Sequence, residues 1–420
     1  MNSTSESEPV SANCSPEPLI GLPTLMSMAF TGVDLTPLGS RLIARAAADP
    51  VDANALMDMS TVLQLKQSRD IGLAVQAQAL QLSQLYHLPA GLPAIRLLAI
   101  MAPGDLMANT PLEFLLQDSD VALDMLYLLP GMAFPPLPEH DLAMVAVCES
   151  DDNRALLAQL ARLAPDWPRP LLNRPERIGQ TGREAAHALL ATAPGVCIPQ
   201  SARVGRDRLS RICARELALA AVLADAQFPI IVRPVDSHAG HGLTKIDAPE
   251  ALDAYLQAMP EPEFVISQFI DYRGADGLFR KVRVALIAGE PYACHMGVSG
   301  DWMIHYLNAG MTDSAAKRAE EAQFMAGFDE HFARRHANAL RAIDARLGLD
   351  YVVIDCGEMP DGKLLIFELD TGAVVHSMDP EDLFPYKKPQ MQKVFAAFRD
   401  LLGRALRDNR KSGRDTPSGY

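Results

Sequence analysis

Apolar positions change their period along the chain, and the changes divide it. From Thr36 to Leu88 they recur at helical spacing. The pattern predicts a helix over 37–48, a second from near Asp52 with Leu56, Met59 and Leu63 inward, and a third over 70–86 with Ile71, Val75, Leu80 and Leu85 inward. The run Pro89-Ala90-Gly91-Leu92-Pro93 is a boundary. Beyond it, 95–100 and 142–147 are short, wholly apolar runs of the kind that form buried strands, 112–116 is a short strand or helix, and 153–163 is an amphipathic helix. Strands alternating with helices predict a small open α/β unit with a parallel sheet. Helices are expected over 182–192, 209–225, 250–259, 317–347 and 394–406, and strands over 228–234, 243–246, 264–270, 281–287 and 292–298. Residues 1–18 read as a disordered leader and 408–420 as a loose tail.

The stretch from Gly348 to Asp370 reads as strand, turn, strand. Tyr351 to Ile354 and Leu364 to Phe367 are apolar, and Pro360-Asp361-Gly362 between them is a turn signal. Three acids stand at the strand ends. Glu368 and Asp370, two apart, point to one face, and the hairpin folds Asp355 back beside them. Hard divalent ions such as Mg²⁺ take oxygen clusters of this kind, usually with phosphates completing the shell. A solvated acidic edge is the bland alternative. Upstream, a strand ending at Arg233, the loop Asp236-Ser237-His238-Ala239-Gly240-His241-Gly242 and a returning strand form a unit in which backbone N–H groups can approach an anion closely. No GK[ST] follows, so this is not a P-loop, and no GxGxxG follows the first strand of the α/β unit.

Composition narrows the class. The chain has 420 residues, 49% hydrophobic and 21% charged, as expected of a globular protein of two to four domains. A net charge of −14 argues against general affinity for nucleic acid or anionic membrane. The six cysteines are scattered without a CxxC pair, which suggests buried thiols in a reducing compartment. No signal peptide or membrane span is read, and the cytoplasm is the expected location.

Four pieces in order give the second half a resemblance to the ATP-grasp superfamily: the strand 228–234 before its Gly loop; Val265-Ile266-Ser267-Gln268-Phe269-Ile270; Phe279-Arg280-Lys281-Val282-Arg283-Val284; and Asp355, Asp361-Gly362, then Glu368-Leu369-Asp370. The resemblance covers about 93–400 and is nearest the glutathione-synthetase and ribosomal-protein-modifying ligase branch. It implies an α/β and α+β protein: an ATP-grasp domain over 201–400, with two α+β lobes around a nucleotide cleft, a preceding α/β domain over 93–200, and a helical segment over 19–90. The paired helices of that segment resemble a single tetratricopeptide-like unit. With no second copy, an appendage packed on its neighbour is preferred to a peptide-binding array.

By the same resemblance, Arg233 stands where the family usually has a phosphate-contacting Lys, and Ser237, His238, Gly240 and Gly242 form the loop over the phosphates. Gln268 and Ile270 meet the adenine edge. Lys281 and Arg283 point to phosphate or the reacting carboxyl. Asp355, Glu368 and Asp370 hold one or two Mg²⁺ ions, with Mn²⁺ as a substitute. Asp370, where Asn is usual, and the following 371–376 depart from the family pattern. His295, His305 and Asn308 are substrate-contact candidates, each weighed against a satisfied core or loop role, and His376 is similar. Zinc at His238 and His241 is not supported, because no third ligand has suitable spacing. The implied activity is a Mg-ATP-dependent carboxylate–amine ligase working through an acyl phosphate on small-molecule or peptide substrates. The alternatives are a small-molecule kinase and a non-catalytic nucleotide-binding adaptor whose helices recruit a protein partner. A homodimer is common for such enzymes, and the oligomeric state is left open.

Overall fold

The computed structural model describes residues 17–88, 91–132, 134–237, 240–305 and 308–412, the side chains of 410–412 excepted. The expected leader falls almost wholly outside the described residues, as do residues 413–420 of the expected tail. Helix α13, described below, runs through 408–412. The chain divides into two units, Met1–Leu88 and Pro89–Tyr420.

The first unit holds α1 (Leu22–Phe30), α2 (Thr36–Ala48), α3 (Ala53–Leu65), α4 (Arg69–Leu82) and a short β1 (Leu85–Leu88). Asp52 caps α3 by accepting from Ala55 N at 2.9 Å, and Arg45 holds both of its oxygens. The inward face of α4 differs from the expected one. Gly72, Gln76, Ala79 and Leu80 are buried, whereas Ile71 and Leu85 are exposed. The reason is close helix approach. A Cβ at residue 72 would lie 2.7 Å from Gln64 Cγ and 3.0 Å from Ser60 O, so small residues rather than large apolar ones face α3. The tetratricopeptide likeness rests on this single α3–α4 hairpin. The helix expected over 70–86 stops at Leu82, and α1 has no counterpart among the expected helices.

The second unit opens with β2 (Ile95–Met101), α5 (Leu112–Leu115), β3 (Val121–Tyr127), β4 (Leu142–Val145), α6 (Arg154–Leu163), β5 (Leu171–Leu172), α7 (Pro175–Ile178) and α8 (Arg183–Leu190). Its strands lie parallel in the order β3-β2-β4-β5, as the alternation of the sequence predicts. The following β6 (Val196–Cys197) leaves this layer and pairs parallel with β14 of the last sheet.

A small lobe follows: β7 (Ser201–Gly205), α9 (Arg206–Cys213), β8 (Ile230–Pro234), β9 (Thr244–Ile246), α10 (Pro249–Ala258) and β10 (Glu263–Gln268). Its antiparallel sheet has the order β7-β10-β8-β9 and carries its own core of Leu209, Ile230, Leu252 and Phe264. The helix expected over 209–225 ends at Cys213. Arg215 turns into the left-handed region, φ 60°, and Glu216 N donates back to Arg211 O.

The large lobe holds β11 (Phe279–Ile287), β12 (Glu290–Ser299), α11 (Ala315–Ala326), α12 (Ala337–Leu347), β13 (Tyr351–Glu358), β14 (Leu364–Asp370) and α13 (Lys387–Ser412), with sheet order β12-β11-β13-β14-β6. One core joins this lobe to the parallel-sheet layer through residues such as Ile100, Val145, Val284, Ile343 and Ile354. The single helix expected over 317–347 is broken near Gly327 by a π-turn over Asp329–Ala333, and α13 is longer than expected at both ends. The expected hairpin is present with its turn, Gly362 at φ 85°.

Candidate active site

The site begins with strand register. In the large sheet His295 on β12 lies opposite Arg283 on β11, Arg283 opposite Asp355 on β13, and Asp355 opposite Glu368 on β14. Directly opposed residues share a face, so four strands present one row of polar side chains. A bulge flanks the row on each side. One leaves Cys294 unpaired between Ala293 and His295; the other leaves Phe367 unpaired between Ile366 and Glu368. Bulges of this kind re-aim side chains at functional edges. Here they return the apolar residues Ala293 and Ile366 to regular pairing while the polar row faces the cleft.

Within the row the charges are paired. Arg283 Nε and Nη2 donate to Asp355 Oδ1 and Oδ2 at 2.8 and 3.0 Å, and Lys281, two residues away on the same face, reaches Oδ2 at 2.7 Å. Asp355 is buried, which alone would raise its pKa, but Arg283 and Lys281 hold its carboxyl well below the usual carboxylate range. Glu368 is only partly buried, and the charges of Arg183 and Arg233 hold it low. Arg183 Nη2 donates to Glu368 Oε1 at 2.6 Å, and Arg183 Nη1 donates to Phe367 O at 3.1 Å. Asp370 differs: burial and the neighbouring Glu368 charge push its carboxyl up to about 7, while Gly372 N donates to Oδ1 at 2.6 Å.

The facing wall comes from the small lobe. Arg233 ends β8, and its Nε donates to Ser237 Oγ at 3.0 Å, which in turn donates to Pro234 O at 2.9 Å. Burial, with Arg183 nearby, lowers its pKa to about 10. Gly242 is required where it stands. Its φ is 63°, and a Cβ would lie 2.6 Å from Pro234 Cδ. Gly240, at φ 76°, has room for a side chain, its nearest neighbour being Met303 Sδ at 3.8 Å. His238 lies outside the described residues. Between the walls is a cavity of about 380 Å³ lined by Arg183, Arg233, Ser237, Glu368 and Asp370, among others.

The other expected residues divide. Gln268 turns its side chain to the 227–229 loop, accepting from Gln227 N and donating to Pro229 O, and Ile270 packs against the apolar cluster that includes Tyr272. Neither lines that cavity. His295 is partly buried opposite Arg283, and both burial and that charge hold it neutral. His305 is partly buried, and burial, Lys281 and Arg283 lower its pKa. Asn308 has a local role, its Oδ1 accepting from His305 N at 2.8 Å. His376 lies 6.5 Å, ring to ring, from Phe114, and burial lowers its pKa to about 4.

Sequence reasoning missed Arg183. It stands at the start of α8, and its partner Glu368 is far away along the chain. The nearest signal was Gly182, where a Cβ would meet the Glu149 carboxyl at 3.0 Å. It also missed Asp236, φ 52°, whose Oδ2 accepts from Asp151 N at 3.0 Å and so ties the Gly loop to the segment after β4.

Among the described residues, no three His, Cys, Asp or Glu side chains are gathered as a metal-ligand set. The donor chemistry at Glu368 and Asp370 nevertheless fits Mg²⁺. Two hard carboxylates share a face, and a divalent cation against both would offset the repulsion that raises Asp370. Asp355 is a third oxygen donor on that face, engaged by Arg283 and Lys281.

The parallel-sheet layer, small antiparallel lobe and large antiparallel lobe enclosing this cleft match the order implied by the sequence motifs. This is the arrangement that the resemblance to the ATP-grasp superfamily implies. No protein-family model matches the chain. A curated relative, the formate-dependent phosphoribosylglycinamide formyltransferase of Mycolicibacterium vanbaalenii, is 27% identical over 218 residues, 43% of this chain and 51% of its own length. The chain thus spans about half the length of that relative. Among solved structures, a D-alanine–D-alanine ligase from Bacillus anthracis complexed with ATP overlaps with TM-score 0.44 and 14% identity, covering 75% of this chain and 99% of its own. The D-alanine–D-alanine ligase of Coxiella burnetii gives 0.46 and 11%, with 76% and 98% covered. An ATP-grasp RimK domain protein from Sphaerobacter thermophilus gives 0.39 and 15%, with 73% and 99% covered. Among the described residues, no helix of the chain is long and apolar enough to cross a membrane.

Proposed function

We propose that the chain is an ATP-dependent ligase that joins a carboxylic acid to an amine, with Mg²⁺ as its metal. The observation that carries this reading is the pairing of walls. The acids Glu368 and Asp370 on the large sheet share one cavity with Arg233, Ser237 and Arg183. A polyphosphate needs cations on one side and a metal site on the other, and the residues lining this cavity suit both needs. The curated relative is by its name formate-dependent, and formate is a carboxylate.

In this reading Arg233 and the loop through Gly242 hold the β- and γ-phosphates. Glu368 and Asp370 would hold Mg²⁺, which supplies charge neutralisation on the phosphate oxygens when bound. Lys281 and Arg283, the cations of the central row, orient the acid substrate. An oxygen of that carboxylate attacks the γ-phosphorus, and the bond to the β-phosphate oxygen breaks with its electron pair, releasing ADP. The amine nitrogen then attacks the acyl carbon, phosphate leaves with the C–O electron pair, and the nitrogen gives its proton to water. Neutral His295 and His305 flank these cations and leave the carboxylate's negative charge as the one they meet.

The test is an ADP-release screen with Mg-ATP against pools of carboxylic acids, amino acids and short peptides, with Glu368→Gln as control. ADP release that needs both an acid and an amine supports the ligase. Release with a single hydroxyl acceptor would make it a kinase. Nucleotide binding without turnover for any acceptor would make it an adaptor.

A further inference from the structure

Two carboxylates of the cleft, Asp355 and Glu368, are already paired with cations of the protein. Asp355 is met by Arg283 and Lys281, and Glu368 by Arg183, with Arg233 close enough to lower the Glu368 pKa. Three acids, Asp355, Glu368 and Asp370, therefore face four cations. Engaged by these cations, Asp355 and Glu368 offer a free divalent ion a weakened pull, although their oxygen donors suit one. The balance changes only when a polyanion enters and offers the cations another partner.

Arg183 is placed for that exchange. Its guanidinium reaches Glu368 from α8, outside both lobes, and lines the same cavity as Arg233 and Ser237. Side-chain rotation would carry it from the carboxylate to a phosphate without moving either sheet. The ion pair is partly exposed, 28% for Arg183 and 36% for Glu368, so its exchange costs little. Asp355, by contrast, is buried under two cations at once.

We propose that Arg183 gates the metal: while no nucleotide is bound it occupies Glu368, and Glu368 and Asp370 accept a divalent cation only together with a polyphosphate to which Arg183 transfers. The inference rests on the ATP reading of the cleft. It makes metal and nucleotide binding interdependent, so each tightens the other by the same factor.

The experiment follows Mn²⁺ binding to the full chain by the paramagnetic signal of the free ion, with and without ADP, for the parent and for Arg183→Met. Arg183→Lys keeps the charge and checks that effects do not come from misfolding, which circular dichroism also reports. For the parent, ADP is expected to tighten Mn²⁺ by about tenfold or more. Arg183→Met is expected to bind Mn²⁺ alone about tenfold tighter than the parent does and to lose most of the dependence on ADP. Arg183→Lys should fall between. If the parent binds ADP but takes up Mn²⁺ equally well without it, or if Arg183→Met leaves nucleotide-free Mn²⁺ affinity unchanged, the gate is overturned while the ATP reading stands. If the parent binds neither ADP nor ATP under any metal condition, both fall together.

Discussion

Arg283 and Asp355 oppose each other across the β11–β13 ladder and meet at two points, 2.8 and 3.0 Å, in a buried ion pair. Removing one partner leaves the other charge without its match. Arg283→Met is expected to cost about 3 kcal/mol in denaturant unfolding and to abolish ADP release. A matched Arg283→Met/Asp355→Leu variant should recover much of the stability and none of the activity. Stability lost equally in both variants would mean that the pair is not what the cation contributes.

Gly242 tests the loop. Gly242→Ala places a Cβ against Pro234 in a backbone region that alanine disfavours. Nucleotide affinity, read by calorimetry, should fall about tenfold or more while the large lobe unfolds at its usual denaturant concentration. Unchanged affinity would remove the loop from the phosphate site.

Asn173 joins the parallel-sheet layer to the start of β13. Its side chain accepts from Tyr351 N and donates to Tyr351 O, both at 2.9 Å, and it is fully buried. Asn173→Ala should cost about 2 kcal/mol, because two buried backbone groups lose their partner. Faster amide exchange at Tyr351 would locate the loss, and unaltered protection there would contradict it.

The helical unit carries a separate pH signal. Asp58 is buried and accepts from Ile20 N at 2.9 Å and Gly21 N at 3.1 Å, yet burial raises its pKa to about 6. The folded unit therefore binds the proton more readily than the unfolded one between about pH 4 and 6. Its contribution to stability falls as pH rises through that window and is smallest above it. Asp58→Asn removes this dependence. The parent-minus-variant difference in amide protection of α3, corrected for intrinsic exchange, should change across pH 4 to 6 by about 2 kcal/mol. A flat difference would mean that Asp58 does not titrate there.

The hairpin with Asp355, Glu368 and Asp370 was legible because alternation, a Pro-Asp-Gly turn and acid spacing all lie within one local stretch. Arg233 and its loop were legible for the same reason. The row across the sheet was not, because register among β12, β11, β13 and β14 depends on two bulges that no local pattern announces. Arg183 was hidden by a separation of 185 residues from Glu368. The inward face of α4 was misread because close packing favoured Gly72 and Ala79 over Ile71. The long helix over 317–347 was misread because its charge and apolar patterns continue through a break at Gly327 that backbone geometry alone reveals.

The chemistry at the centre of this account leaves a trace in one atom. Once the screen yields an acid and an amine, the acid is supplied with heavy oxygen in its carboxylate and the released phosphate is analysed by mass spectrometry. Transfer of the γ-phosphoryl group to the carboxylate, followed by amine attack, predicts phosphate carrying one heavy oxygen from the acid, with the other retained in the amide. Unlabelled phosphate, or label appearing in AMP, would contradict it.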